Sequence, residues 1–188
     1  MRFISILLLF TILAAVALTA AYPKHLVGVD YSTISGSGLS YSLELDRSNV
    51  LKFSGILMYY GPKPPDKMTL LADAGMEYQY NIWKIKNNRL YLFGGGSYWY
   101  VEKRDVISYM KFEKLIIEKT IAKNNIFNIG AGIGYEKVFL NKIALNLNIG
   151  LQYQLSDGEG FPLLFDRSPE SQKFIGVGGG IGLKFIIK

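Results

Sequence analysis

Apolar and polar side chains alternate strictly along Lys142–Leu155, which reads KIALNLNIGLQYQL. Large apolar side chains occupy the odd positions, and small or polar side chains occupy the even positions. Successive side chains of a β-strand point to opposite faces, so this pattern predicts a strand with one apolar and one polar face. Its length of about fourteen residues exceeds the usual five or six and is enough for a tilted strand to cross a bilayer.

The same period of two recurs in seven further stretches, so the chain is predicted to form eight strands. They cover residues 26–34, 39–45, 50–60, 69–83, 89–101, 125–138, 142–155 and 172–187. Short turns are predicted at one end of the barrel, at 46–49, 84–88 and 139–141. Loops are predicted at the other end, at 35–38, 61–68, 102–124 and 156–171. An even strand number, with short periplasmic turns and mostly longer extracellular loops, is typical of outer-membrane barrels. The predicted fold class is all-β, an eight-stranded antiparallel up-and-down transmembrane β-barrel.

Three segments leave the pattern open or interrupt it. Glu102–Asn124 breaks the alternation, and both a short amphipathic helix and an extension of the flanking hairpin fit its sequence. Along Arg89–Val101 both faces carry aromatic residues and glycines, so the pattern does not say which face is inside. Gly61–Asp66 contains three prolines, which lack the N–H group that a ladder needs, and predicts the end of a strand.

Side-chain size predicts which face of the barrel is outside. Glycines recur on the polar faces, which suits the crowded lumen of a narrow barrel, whereas the long apolar side chains suit lipid. The alternative is a soluble barrel of the lipocalin kind, with its apolar face inside. Aromatic residues also fall at the predicted strand ends, where membrane barrels carry aromatic girdles. They are Tyr59, Tyr60, Trp99, Tyr100 and Tyr153 at one end, and Tyr80, Trp83, Tyr91, Phe139 and Phe185 at the other.

The N-terminus has the composition of a targeting segment. Met1-Arg2 is a short positive region, and Phe3–Ala20 is almost wholly apolar. The segment ends on the small residues Thr19-Ala20-Ala21. This order predicts a signal peptide at residues 1–21 and an outer-membrane barrel domain at 22–188, with an uncleaved inner-membrane anchor as the alternative. The chain has no cysteine, and its net charge of +6 is dispersed, so neither a thiolate metal site nor a nucleic-acid patch is expected.

One stretch carries a family resemblance. Asn128–Tyr135 reads NIGAGIGY and resembles the Gly-x-Gly-x-Gly-aromatic strands of small eight-stranded bacterial outer-membrane barrels, the group of outer membrane proteins A, X and W. The resemblance extends over residues 22–188 as a pattern. It implies a monomer in the bacterial outer membrane, inserted there by the barrel-assembly machinery. Such barrels usually end on an aromatic residue, whereas this chain ends on Lys188, three residues after Phe185.

The predicted lumen face carries a set of charged side chains, which form the candidate site. In a narrow lumen they must pair or hold water, which predicts a packed electrostatic plug. A tight turn at 46–49 predicts Glu44 opposite Lys52, and barrel closure predicts Lys184 near Asp30. A narrow cation-preferring conduit is the alternative, because acids outnumber lysines. The set is Asp30, Glu44, Lys52, Asp73, Glu77, Glu136 and Lys184.

The sequence offers little for catalysis. Its one histidine, His25, precedes the first strand, and the motifs of nucleotide or metal sites are missing from the sequence. We therefore expect a non-enzymatic structural or surface-interaction protein without cofactors, with a narrow porin-like channel or a transporter of small hydrophobic molecules as the alternative. Expected partners are outer-membrane lipid and lipopolysaccharide phosphates, and no nucleic acid. The apolar run Phe161–Phe165 suggests a lid or a partner contact. Four nearby acids favour a solvated charged loop at 102–124, with contact to lipopolysaccharide phosphates as the alternative. The basic side chains of this loop are Lys103, Arg104, Lys111, Lys114, Lys119 and Lys123.

Overall fold

Eight antiparallel strands close into one barrel in the computed structural model, which describes residues 25–63, 67–111, 114–158 and 172–187. Each strand pairs with its neighbours in the chain, and the last strand pairs with the first. Within these ranges no helix is long and apolar enough to cross a membrane. The closed ring of eight antiparallel strands confirms the predicted fold class. The strands are β1 His25–Ser32, β2 Gly38–Glu44, β3 Asn49–Lys63, β4 Lys67–Ile85, β5 Asn88–Lys111, β6 Lys114–Phe139, β7 Ile143–Gly158 and β8 Gln172–Ile187.

The strand ends differ from the predicted ones at the end of the barrel that carries the loops. The described residues of the segment 102–124 extend the β5–β6 hairpin as strands, and beyond Arg104 the described part of β5 pairs only with β6. β3 continues through Pro62 to Lys63, so its predicted end before Gly61 is wrong; a register shift after Tyr60 accommodates the proline. The predicted signal peptide at 1–21 and the apolar run at 161–165 lie outside the described residues.

The apolar face of the sheet is the outer face of the barrel. On β7, Leu151 is 68% exposed while Asn146 is 1% exposed, and the other strands repeat this division. A continuous apolar exterior of this kind marks a surface that contacts lipid rather than water. The undecided strand β5 turns Tyr91 and Phe93 inward and Leu92 outward. The sequence predicts Tyr91 as part of an aromatic girdle. This prediction is wrong, because the side chain is buried in the lumen.

Candidate functional site

The lumen holds four charged side chains in a continuous chain of alternating sign. Lys52 Nζ lies 2.8 Å from Glu77 Oε2 and 3.9 Å from Asp30 Oδ1. Lys184 Nζ lies 3.4 Å from the other oxygen of Asp30. Both lysine side chains are fully buried. We call Glu77, Lys52, Asp30 and Lys184 the charge chain; its two acids and two bases cancel, as buried charges require.

Amide and hydroxyl groups add hydrogen bonds to the charge chain. Gln79 Nε2 donates to Glu77 Oε1 at 2.6 Å, and Asn146 Nδ2 donates to Asp30 Oδ1 at 3.2 Å. Lys184 Nζ donates to Ser42 Oγ at 3.0 Å. These bonds come from β4, β7 and β2, so the chain ties opposite walls of the barrel together. A buried charge that loses its partner is costly, which makes this arrangement a rigid filling of the lumen.

A second ion pair joins the neighbouring strands β5 and β6 on the lumen side, nearer the end with short turns. Arg89 holds Glu136 through two parallel bonds, Nε to Oε1 at 2.7 Å and Nη2 to Oε2 at 2.8 Å. Nη1 of Arg89 donates to Asn81 Oδ1 at 3.0 Å, and the guanidinium lies 4.7 Å from the centre of the Tyr91 ring. Sequence reasoning missed Arg89 because the facing of its strand was undecided. Arg89 precedes Tyr91 by two residues, so both side chains lie on the same face of the strand. This spacing was the one signal in the sequence that could have linked Arg89 to the lumen.

Glu44 lies at the short-turn mouth of the lumen and not beside Lys52. Lys52 faces Ser42 across the ladder and Glu44 faces Val50, so the predicted Glu44–Lys52 pairing is wrong. Leu45 N donates to Asn49 O, so the hairpin closes through residues 46–48, and Glu44 lies opposite a residue two positions before Lys52. Glu44 instead accepts bonds from Lys84 Nζ at 3.2 and 3.3 Å, at the mouth of the barrel. The other six predicted residues are buried in the lumen: Asp30, Lys52, Asp73, Glu77, Glu136 and Lys184.

The connection Thr33–Ser37, here called loop 1, folds into the lumen above the charge chain. Ser35 donates its hydroxyl hydrogen to Glu77 Oε2, and its carbonyl accepts a 2.6 Å bond from Ser54 Oγ. Ser37 N donates to Asp73 Oδ2 at 2.5 Å. Gly36 and Gly38, with φ of 86° and 120°, supply the backbone that this inward turn needs. Loop 1 is thus fastened to β3 and β4.

Ile34 of loop 1 is fully buried and packs with Tyr91 and Phe93. Glycines of β6 and β8 make room for it. A Cβ atom at Gly178 would lie 2.7 Å from Ile34 Cγ1, and one at Gly130 would lie 3.0 Å from Ile34 Cγ2. The glycine-rich strands therefore form a socket for loop 1. The sequence predicts an extracellular turn at residues 35–38, and the apolar Ile34 beside it is the one sign of a buried position.

Below the Arg89–Glu136 pair the lumen widens into a cavity of about 360 Å³ at the short-turn end. Glu44, Lys84 and Lys86 stand at its rim, and Arg89 and Glu136 form its inner wall. His25 lies at the same end, where its Nδ1 is 2.6 Å from the Tyr41 hydroxyl. Among the described residues, no group of three or more His, Cys, Asp and Glu side chains is arranged to hold a metal ion.

Comparisons with known proteins return structures only; no protein-family model and no curated protein matches the chain. The N-terminal β-barrel domain of Pseudomonas aeruginosa OprF is similar over 88% of this chain and 96% of its own, with 13% identity and a TM-score of 0.40. Acinetobacter baumannii CarO is similar over 88% of this chain and 98% of its own, with 10% identity and a TM-score of 0.37. Ail, the attachment invasion locus protein of Yersinia pestis, is similar over 88% of this chain and 97% of its own, with 9% identity and a TM-score of 0.35.

Proposed function

We propose that the chain is a closed, non-enzymatic barrel of the bacterial outer membrane with a structural or surface-interaction role. The observation that carries this proposal is loop 1, seated in a glycine socket on top of a neutral, hydrogen-bonded charge chain. A lumen filled in this way favours rigidity over passage of solutes. The sole histidine, His25, contacts Tyr41 and stands apart from the lumen carboxylates, which supports a role without acid–base catalysis.

The apolar exterior supports the membrane location. Exposed leucine, isoleucine and valine side chains occupy the outward positions of β7 and β8, as a lipid-facing belt requires. Fractionation of cells that express the full chain tests this placement. We expect the protein in the outer-membrane fraction, extracted only by detergent, with a gel mobility that changes on boiling. Recovery from the soluble fraction without detergent would contradict the proposal.

Conductance of the purified barrel in planar bilayers tests the closed lumen. The unaltered protein is expected to insert without stable current steps. Replacing Ile34 by Gly together with Ser35 by Ala removes the apolar and the polar anchor of loop 1, and is expected to produce steps. Ser48→Ala is the matched control, because Ser48 lies in the short turn between β2 and β3, at the opposite end of the barrel from loop 1. Stable steps from the unaltered protein, abolished by Asp73→Asn, would show instead that the barrel is a narrow conduit.

A further inference from the structure

Four side chains form a cluster on the outer surface of the β5–β6 hairpin, at the end with loops. Glu102 accepts a 2.5 Å bond from the Tyr100 hydroxyl and a 2.6 Å bond from Arg104 Nε. Across the ladder, Lys123 Nζ lies 4.0 Å from the second oxygen of Glu102. These bonds hold the pKa of Glu102 below its ordinary value, so it is ionised at neutral pH. We call Tyr100, Glu102, Arg104 and Lys123 the rim cluster.

The rim cluster lies where the apolar exterior gives way to charge. Tyr98 and Phe127, at the next outward positions below it, are exposed aromatic residues. Above Arg104, β5 leaves β4 and continues as a two-stranded ribbon with β6. In a bilayer, aromatic side chains of this kind mark the interface, and the lipid headgroups lie directly above them. The rim cluster is therefore at the height of the headgroup phosphates.

The charges of the rim cluster are arranged for an anion. The Glu102 side chain is only 8% exposed, whereas those of Arg104 and Lys123 are 38% and 59% exposed. The carboxylate is thus recessed between two cations that reach outward, and the cluster keeps one net positive charge. The planar guanidinium of arginine matches phosphate oxygens in pairs. The neighbouring outward positions on β4, Met68 and Leu70, bring no opposing charge.

We propose that the rim cluster binds a phosphate group of an outer-leaflet lipid, with Arg104 and Lys123 as the ligands and Glu102 as the residue that positions them. This inference rests on the outer-membrane placement proposed above. Phosphorylated lipid A, the anchor of lipopolysaccharide, has the required chemistry. Its acyl chains would lie along the apolar exterior below the cluster while its phosphate meets the two cations, so that contacts of both kinds act together.

Lipid retention by the purified barrel in detergent tests the inference. The probes are phosphorylated lipid A, the same lipid after enzymatic removal of its phosphates, and inorganic phosphate. The unaltered barrel is expected to retain phosphorylated lipid A through gradient centrifugation, with affinity that falls as salt rises. Replacing Arg104 and Lys123 by Ala is expected to weaken retention about tenfold, as loss of charge-assisted bonds implies. Lys103→Ala is the control, because Lys103 is one residue away, on the opposite face, and contacts Asp105.

The outcomes separate this inference from the proposed function. A change of gel mobility on boiling, measured on the outer-membrane fraction, first establishes that each variant forms the barrel in the membrane. If the variants insert but retain lipid A as well as the unaltered protein does, the phosphate site is wrong while the barrel proposal stands. Equal retention of the dephosphorylated lipid would also overturn it. If inorganic phosphate at millimolar concentration displaces the lipid completely, the site recognises free phosphate and the lipid assignment fails.

Discussion

At the scale of single residues, the Arg89–Glu136 pair shows how the lumen depends on compensated charge. Removing one member of a buried ion pair leaves the other uncompensated, so Arg89→Met is expected to destabilise the barrel by about 3–5 kcal/mol. Arg89→Met with Glu136→Leu is expected to cost less than Arg89→Met alone, because no bare charge remains. Urea unfolding of the barrel in lipid vesicles measures both. Lys84→Met is the control, since the more exposed Lys84–Glu44 pair contributes at most about 1 kcal/mol.

Asp46 gives the stability of the barrel a pH dependence in its exposed turn. The side chain of Asn49 and the backbone N–H of Ser48 donate to the Asp46 carboxylate and hold its pKa below 3.8. A lowered pKa in the folded state means that this stabilisation is complete above the unfolded value and is lost as pH falls through the folded value. A carboxylate NMR titration is expected to place the pKa below 3.8. Asn49→Ala should move it upward, and an unchanged pKa in that variant would contradict the assignment.

At the scale of elements, the predictability of each strand depended on how different its two faces are. β7 and β8 separate large apolar from small or polar side chains, so their extent and facing followed from the sequence. β5 carries aromatic residues on both faces, so its facing, and with it the role of Arg89, required the closed sheet. The register of Glu44 depended on how many residues the Asp46 turn uses. Loop 1 was unpredictable because its burial depends on glycines from distant strands.

The lipid-facing side of β7 offers a direct test of the facing. Leu147 points outward near the middle of the strand, so Leu147→Arg would place a charge in the apolar part of the bilayer. Such a change costs about 2–4 kcal/mol near the midplane, and a smaller folded fraction in vesicles is expected. Leu147→Phe keeps the position apolar and is expected to fold normally. Equal folding of the Arg and Phe variants would mean that this face does not meet lipid.

At the scale of the whole molecule, the barrel wall is shortest on the side where loop 1 turns into the lumen. β1 and β2 are the shortest strands, with 8 and 7 residues, whereas β5 and β6 have 24 and 26. On the side with the short strands, loop 1 turns inward and bonds to β3 and β4. On the side with the long strands, the β5–β6 hairpin carries the rim cluster on its outer surface. The two features divide the molecule into an interior occupied by loop 1 and an outward-reaching edge, and the proposed surface role rests on this division.

Closure of the barrel at the β1–β8 seam yields the last prediction. Gly28 lies opposite Lys184 across this seam, and a Cβ atom there would be 2.6 Å from Lys184 Cα and 2.8 Å from the Leu183 carbonyl carbon. Both contacts are with backbone, which cannot move aside without parting the strands. Gly28→Val is therefore expected to destabilise the barrel by at least about 1–3 kcal/mol, as overpacking does. The compact gel species seen before boiling should be reduced. Val29→Ala changes the outward face of the same seam and should leave migration unaltered. If Gly28→Val migrates and unfolds like the unaltered protein, the seam is not packed as described.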